Sequence, residues 1–249
     1  MMNNVPNDTM FTDWVKTKGG EVENVNAKIR NAITLIHFAA AEGRVDVLAW
    51  LKEQGADVNI ESQYEGTPMR FAAFYGRVDS MRWLQEQGVD INTTSDGGWT
   101  LMHTAAGAGQ LDAMKWLKEQ GVDVNVTTED GRTPMHVAQL DAMKWLREQG
   151  VDVNVRDNDG VTPMHRAASD SRIKAMKWLK EQGADVNVRD NSGTTPMHDA
   201  ARWFNRFEAL TWLKEQGADI NAKNNDGETP LSVASTDEVK KWLLANGAK

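Results

Sequence analysis

Apolar residues along this chain recur in a short stripe that is copied many times. In LDAMKWLKEQ (Leu111 to Gln120) they stand at Leu111, Met114 and Leu117, with Ala113 and Trp116 widening the face and charged or amide side chains on the other side. This spacing predicts a helix with one face in a core and one in water, ended at Gly121, which readily takes left-handed C-cap backbone. Ahead of it lies a second signal. Asp130-Gly131, Asp159-Gly160 and Asp226-Gly227 predict tight turns, and Thr-Pro follows shortly after each. Thr is a good N-cap and Pro fits the first helical position, where its missing N–H costs nothing. The unit therefore reads as turn, short helix, short turn, helix. One such pair cannot bury its stripe alone, so units must stack and share a core.

Tryptophan measures the period. Trp-Leu pairs begin at Trp50, Trp83, Trp116, Trp145, Trp178, Trp212 and Trp242, at intervals of 33, 33, 29, 33, 34 and 30 residues. A Thr stands 17 residues after each of the first six: Thr67, Thr100, Thr133, Thr162, Thr195 and Thr229. Length varies only from each Thr to the next Trp: 16 residues from Thr34, Thr67, Thr100 and Thr162, but 12 from Thr133, 17 from Thr195 and 13 from Thr229. Fixed-period self-similarity of this size is the mark of a repeat architecture.

TPMHRAA (Thr162 to Ala168), TPMHDAA (Thr195 to Ala201) and TLMHTAA (Thr100 to Ala106), with GADVN at Gly55 and Gly183 and variants at Gly88, Gly121, Gly150 and Gly217, resemble the ankyrin repeat. The resemblance covers roughly residues 10 to 249. It implies an all-α fold, a solenoid of stacked helix pairs with projecting β-hairpin fingers. It also implies a concave face of fingers and first helices that binds a partner.

Residues 1–249 read as a single repeat domain: an N-terminal cap over 10–33, internal repeats over 34–228 and a C-terminal capping repeat over 229–249. Trp14 keeps the Trp register but lies 20 residues before Thr34, as a capping helix with a modified finger would. The unit from Thr133 lacks about four residues, which predicts a truncated first helix and a surface dent near 137 to 142. The last unit carries Asp237, Glu238, Lys240 and Lys241 where an internal helix is apolar, as a water-facing cap should.

Composition narrows the function classes. The chain has 28 Lys plus Arg against 36 Asp plus Glu, a net charge of −8, which disfavours adhesion to nucleic acid or an anionic membrane. It has no Cys, hence no disulfide framework, thiolate metal site or cysteine nucleophile. No apolar run approaches the roughly 18 to 20 residues of a membrane span, and the first residues carry no readable export signal. A cytoplasmic protein is expected, or one in a host cytosol if it is a delivered bacterial protein.

All five histidines, His37, His103, His136, His165 and His198, stand three residues after a repeat Thr. The resemblance implies that this His bonds the backbone or the repeat Thr and orders the turn. One histidine per unit cannot converge into a catalytic or metal constellation. The finger carboxylates Asp157, Asp159, Asp190 and Asp226 fit turn chemistry, and no Gly-rich phosphate loop is present. No catalytic residue, metal or cofactor is expected.

The in-register Trp residues, and Met69, Met102, Met135, Met164 and Met197 two residues after each Thr, read as core. Function should lie in what does not repeat. Trp99 in a finger and Trp203 near the end of a first helix break register; Tyr64 lies in a finger, and Phe71, Phe74 and Tyr75 follow along the next first helix. Aromatic residues at variable positions resemble interface hot spots. With Arg132 and Arg166 as polar contacts, they form the expected partner-binding set. Trp203, with Phe204 and Phe207, has a second reading as cover for surface left open by the shortened last unit. The expected function is a non-enzymatic protein-interaction module that acts as a monomer; the alternative is a self-associating scaffold or spacer.

Overall fold

The computed structural model describes residues 9–18, 24–29, 32–63 and 66–249, and its regular elements are helices, with no named strand among those residues. The chain comprises two compact units, Met1–Asp123 and Val124–Lys249. The first holds α1 (Thr9–Thr17) and three helix pairs: α2 (Leu35–Glu42) with α3 (Val45–Glu53), α4 (Pro68–Phe74) with α5 (Val78–Glu86), and α6 (Leu101–Ala108) with α7 (Leu111–Glu119). The second holds α8 (Pro134–Val137) with α9 (Leu140–Glu148), α10 (Pro163–Ser169) with α11 (Ile173–Glu181), α12 (Pro196–Ala201) with α13 (Phe207–Glu215), and α14 (Asp237–Ala245). Within each unit, first helices pack on first helices, as α2 on α4 and α10 on α12, and second helices on second helices.

The local signals act as their chemistry dictates. Thr67 is extended (φ −85°, ψ 164°), Pro68 opens α4, and the Thr67 hydroxyl accepts the Arg70 N–H. α7 ends at Gln120, one residue before Gly121, which lies at φ +88°. There the Gly121 N–H donates to Lys118 O and the Val122 N–H to Leu117 O. This is a Schellman ending, with buried Val122 beside buried Leu117 as its apolar clasp.

The core is chiefly Leu, Met and Ala. Met69, Met102, Met135, Met164 and Met197 are fully buried, as expected. The tryptophan ladder is only partly core: Trp50, Trp116, Trp145 and Trp212 are buried, while Trp14, Trp83, Trp178 and Trp242 are half-buried.

The fingers are hairpin-shaped but too short to run as strands. A backbone bond closes the base of each described finger, among them Ser62 N–H to Gly66 O (3.1 Å), Asp157 N–H to Val161 O (3.0 Å) and Asp190 N–H to Thr194 O (3.0 Å), and a second tightens most of the turns, as Gly160 N–H to Asp157 O (2.9 Å) does. Ser95 with Trp99 is the one bridge pair among the described residues. In the second unit the fingers are joined to one another. Asn158 donates its backbone N–H to Asp130 O and its amide to Glu129 O; Asn191 bonds Asp159 O and Asn158 O likewise, and Asn225 bonds Ser192 O and Asn191 O.

The four-residue deletion after Thr133 leaves α8 with one turn. Arg172 fills the place of the missing backbone, donating to Ala138 O at 2.8 Å and to Val137 O and His136 O at 3.4 Å. The corresponding side chains elsewhere are single-bond struts: Arg77 donates to Ala41 O, Gln110 to Phe74 O and Arg206 to Ser169 O. The expected dent is a shallow depression lined by Gln139, Leu140, Arg172 and Ile173. In the last unit the segment from Thr229 is only a turn.

Candidate functional site

A hydrogen-bond relay recurs at the start of the first helices. In His165, Nδ1 lies 3.2 Å from the Thr162 N–H nitrogen and Nε2 lies 3.1 Å from Thr194 O. A backbone N–H can only donate, so Nδ1 accepts and Nε2–H donates to the carbonyl preceding the next repeat Thr. His37 reaches Gly66 O, His136 reaches Val161 O and His198 reaches Glu228 O in the same way, each at 3.1 Å. Burial, the largest influence on His37, His136, His165 and His198, holds each imidazolium below its ordinary pKa. The expected structural role of these histidines is what the geometry shows.

One described first helix in this series lacks the histidine. Arg70 stands three residues after Thr67, and its guanidinium donates to Trp99 O at 2.8 Å, the carbonyl that a histidine would have reached. A second bond runs to Thr104 Oγ1 at 2.7 Å. An imidazole uses one donor for this carbonyl, whereas a guanidinium brings five and a permanent charge. Burial lowers the Arg70 pKa. The side chain forms the floor of a cavity of about 370 Å³ lined by Phe71, Phe74, Tyr75 and Thr104.

The expected aromatic group is therefore brought together, although its members differ. Phe74 and Tyr75 are about half exposed and pack edge to face at 5.1 Å. Phe71 is buried, edge-on to His37 at 4.9 Å, and forms a wall of the cavity. Trp99 is half-buried, edge-on to His103 at 5.4 Å, and joins the site through its carbonyl. Tyr64 lies outside the described residues.

In the second unit, Arg132 and Arg166 already have an internal partner. Asp157, buried, accepts Arg166 at 3.2 Å and lies 3.8 Å from Arg132 Nε, while its other oxygen accepts the backbone N–H groups of Asp159 and Val161. Asp157 and Asp190 are turn formers, as expected. Asp199, at the register position of Arg166, is pushed up to about 7 by burial, against the pull of Arg202. Trp203 and Phe204 project from the turn between α12 and α13 at 56% and 64% exposure, so the reading in which they cover the last unit does not hold; Phe207 is half-buried.

Arg70 and Thr104 were missed by sequence reasoning. Their signal was present, since Arg70 occupies the column that holds His in five other units and Ser232 in the last, and Thr104 the column of Phe71. The Asn158, Asn191 and Asn225 column was also visible at repeat spacing. Among the described residues no three His, Asp or Glu side chains converge as a metal site, and no helix is long and apolar enough to cross a membrane.

The family model described as "Ankyrin repeats (3 copies)" matches residues 7–95, 87–157 and 138–224. Among solved structures, the chain is similar to the human ASB11 ankyrin repeat domain, with a TM-score of 0.66 and 27% identity over 87% of this chain and 99% of that one. No protein of curated function matches.

Proposed function

Because the chain belongs to the ankyrin repeat family, whose repeats are generally protein–protein interaction modules, we propose that it is a non-enzymatic binding module whose principal contact is the first-helix face of the Met1–Asp123 unit. The observation that carries this reading is the cavity of Arg70, Phe71, Phe74, Tyr75 and Thr104, the place where this unit departs from its own repeat. Phe74 and Tyr75 leave large apolar surface in water beside a polar floor. Rigid aromatics around a polar group supply contact area at low entropic cost. Trp99 and Tyr64 belong to the same proposed set, and Arg132, Arg166 and Trp203 are proposed as separate contacts on the Val124–Lys249 unit. The partner is a protein; the net charge of −8 argues against nucleic acid and anionic membrane.

The test is to replace Phe74 and Tyr75 with Ala in the full chain and titrate it against the protein that copurifies from the native source. A loss of roughly 2 kcal/mol or more is expected for a hot-spot pair. Unchanged affinity with unchanged thermal unfolding would remove this site.

A second reading, self-association, is favoured by Trp203 and Phe204, adjacent exposed aromatics on one turn. Light scattering across concentration tests it. A mass that rises with concentration and falls back when both are replaced by Ser would establish it, and a constant monomer mass would exclude it.

A further inference from the structure

The Arg70 substitution has a cost that the relay alone does not explain. The carbonyl of Trp99 needs one donor, and the neighbouring first helix meets the same need with a neutral imidazole at His37. Arginine instead places a full charge under aromatic walls, where loss of hydration disfavours it. Three half-buried arginines of the second unit have a carboxylate in reach: Arg166 and Arg132 share Asp157, and Arg172 lies 3.4 Å from Asp170. No carboxylate lies within ion-pair distance of Arg70 among the described residues, and its described partners are a carbonyl and a hydroxyl, both neutral.

The cavity thus combines a charged floor, with guanidinium donors beyond the two described bonds, and an apolar rim of Phe74 and Tyr75. A guanidinium matches a carboxylate in a planar, two-pronged geometry and a dry wall strengthens the pair. The rim asks for an apolar group beside it. We propose that this cavity recognises a peptide segment of the partner in which an Asp or Glu stands next to a large apolar residue, the carboxylate on Arg70 and the apolar side chain against Phe74 and Tyr75. This rests on the binding-module reading above and names the chemistry of its partner. The chain's own charge of −8 means that attraction must be local to the cavity, which makes Arg70 the determinant of specificity.

The experiment uses the full chain and a phage-displayed library of random twelve-residue peptides. Wild type is expected to enrich peptides with Asp or Glu adjacent to Leu, Ile, Phe or Trp. Arg70→His restores the repeat's own histidine, so the helix keeps its relay, and it is expected to lose the acidic preference. By calorimetry the best peptide should lose about tenfold or more in affinity when its acid becomes the matching amide; that loss should be absent in Arg70→His. Glu65, outside the described residues, is the nearest competing carboxylate in sequence, and Glu65→Gln is panned alongside. No acidic preference, no enriched peptide, or a preference retained by Arg70→His overturns the proposal. So does an acidic preference seen only in Glu65→Gln, which would assign the guanidinium to the chain itself. Failure of the binding-module reading is distinguishable: peptides would then bind the Phe74→Ala, Tyr75→Ala chain as tightly as wild type.

Discussion

Arg70 donates to the carbonyl of Trp99 at 2.8 Å, the bond that His198 makes to Glu228 at 3.1 Å in the second unit. One helix of the array has exchanged a neutral donor for a charged one while keeping the acceptor. If the exchange serves binding, it should cost stability. Arg70→His is expected to leave the urea midpoint unchanged or raise it, by up to about 1 kcal/mol of unfolding free energy. A loss larger than that would mean that Arg70 is primarily structural.

The relay itself should be expensive to break. His165→Ala leaves the Thr162 N–H and the Thr194 carbonyl buried without their side-chain partner, a cost of about 2 to 4 kcal/mol. Ser232 holds the matching position in the last unit, where its hydroxyl accepts the Thr229 N–H at 2.8 Å in an exposed turn. Ser232→Ala should cost less than about 1 kcal/mol, because water replaces the bond. Chemical denaturation of both variants checks the ranking, and equal losses would contradict it.

The pH dependence has two opposing parts. His37, His136, His165 and His198 are held neutral by burial, so their folded pKa values lie below the ordinary 6.5. The unfolded chain then binds more protons as pH falls through that value, and the stability they contribute is full above it and lost below. Asp199 runs the other way. Its folded pKa, about 7, lies above the ordinary 3.8, so its contribution is present below 3.8 and lost as pH rises through 7. Asp199→Asn should therefore stabilise the chain by at least about 1 kcal/mol at pH 8 and by little at pH 4. In that background, urea midpoints should fall from pH 7.5 to about 5.5. A flat profile would show that the histidines are not the acid-sensitive groups.

Two glycines of similar backbone separate conformation from crowding. Gly183 lies at φ +95° with nothing near an added Cβ, whereas Gly160 lies at φ +76° and an added Cβ would meet the Asn191 amide oxygen and backbone nitrogen at 2.4 and 2.9 Å. Gly183→Ala should cost about 1 to 2 kcal/mol for the left-handed backbone alone. Gly160→Ala should cost clearly more, since it also pushes two fingers apart. Thermal unfolding of the pair measures the difference.

Much of the fold was legible because it is written repeatedly. Thr-Pro starts, glycine stops and the Trp-Leu ruler are local signals, and repetition at fixed spacing removed the ambiguity that any one of them carries. The deletion after Thr133 was legible for the same reason, as a break in a rhythm. Its repair by Arg172 was not, because the carbonyls that Arg172 reaches lie 34 to 36 residues away and only packing brings them within range. The aromatic group around Phe74 and Tyr75 could be found as a departure from the pattern. Arg70 beside it could not be weighed until the acceptor of the histidine column was known. Arg132 and Arg166 looked available for the converse reason: an Asp that reads as a turn former also turned one oxygen toward them.

The relay also defines where this chain can be cut and rejoined. His37, His136, His165 and His198 each donate a hydrogen bond to the carbonyl immediately ahead of the next Thr, so a segment running from one Thr to the residue before the next contains one acceptor and one donor. His198 with Glu228 is one such self-contained cassette, Thr195 to Glu228. A duplicate placed between Glu228 and Thr229 would bring its own histidine and its own carbonyl, leaving every existing pair satisfied. Duplication of a segment that is not a whole period would strand a donor in one copy and an acceptor in another. The joint that holds neighbouring repeats together thereby sets the step, one whole repeat, by which the array can lengthen through unequal exchange.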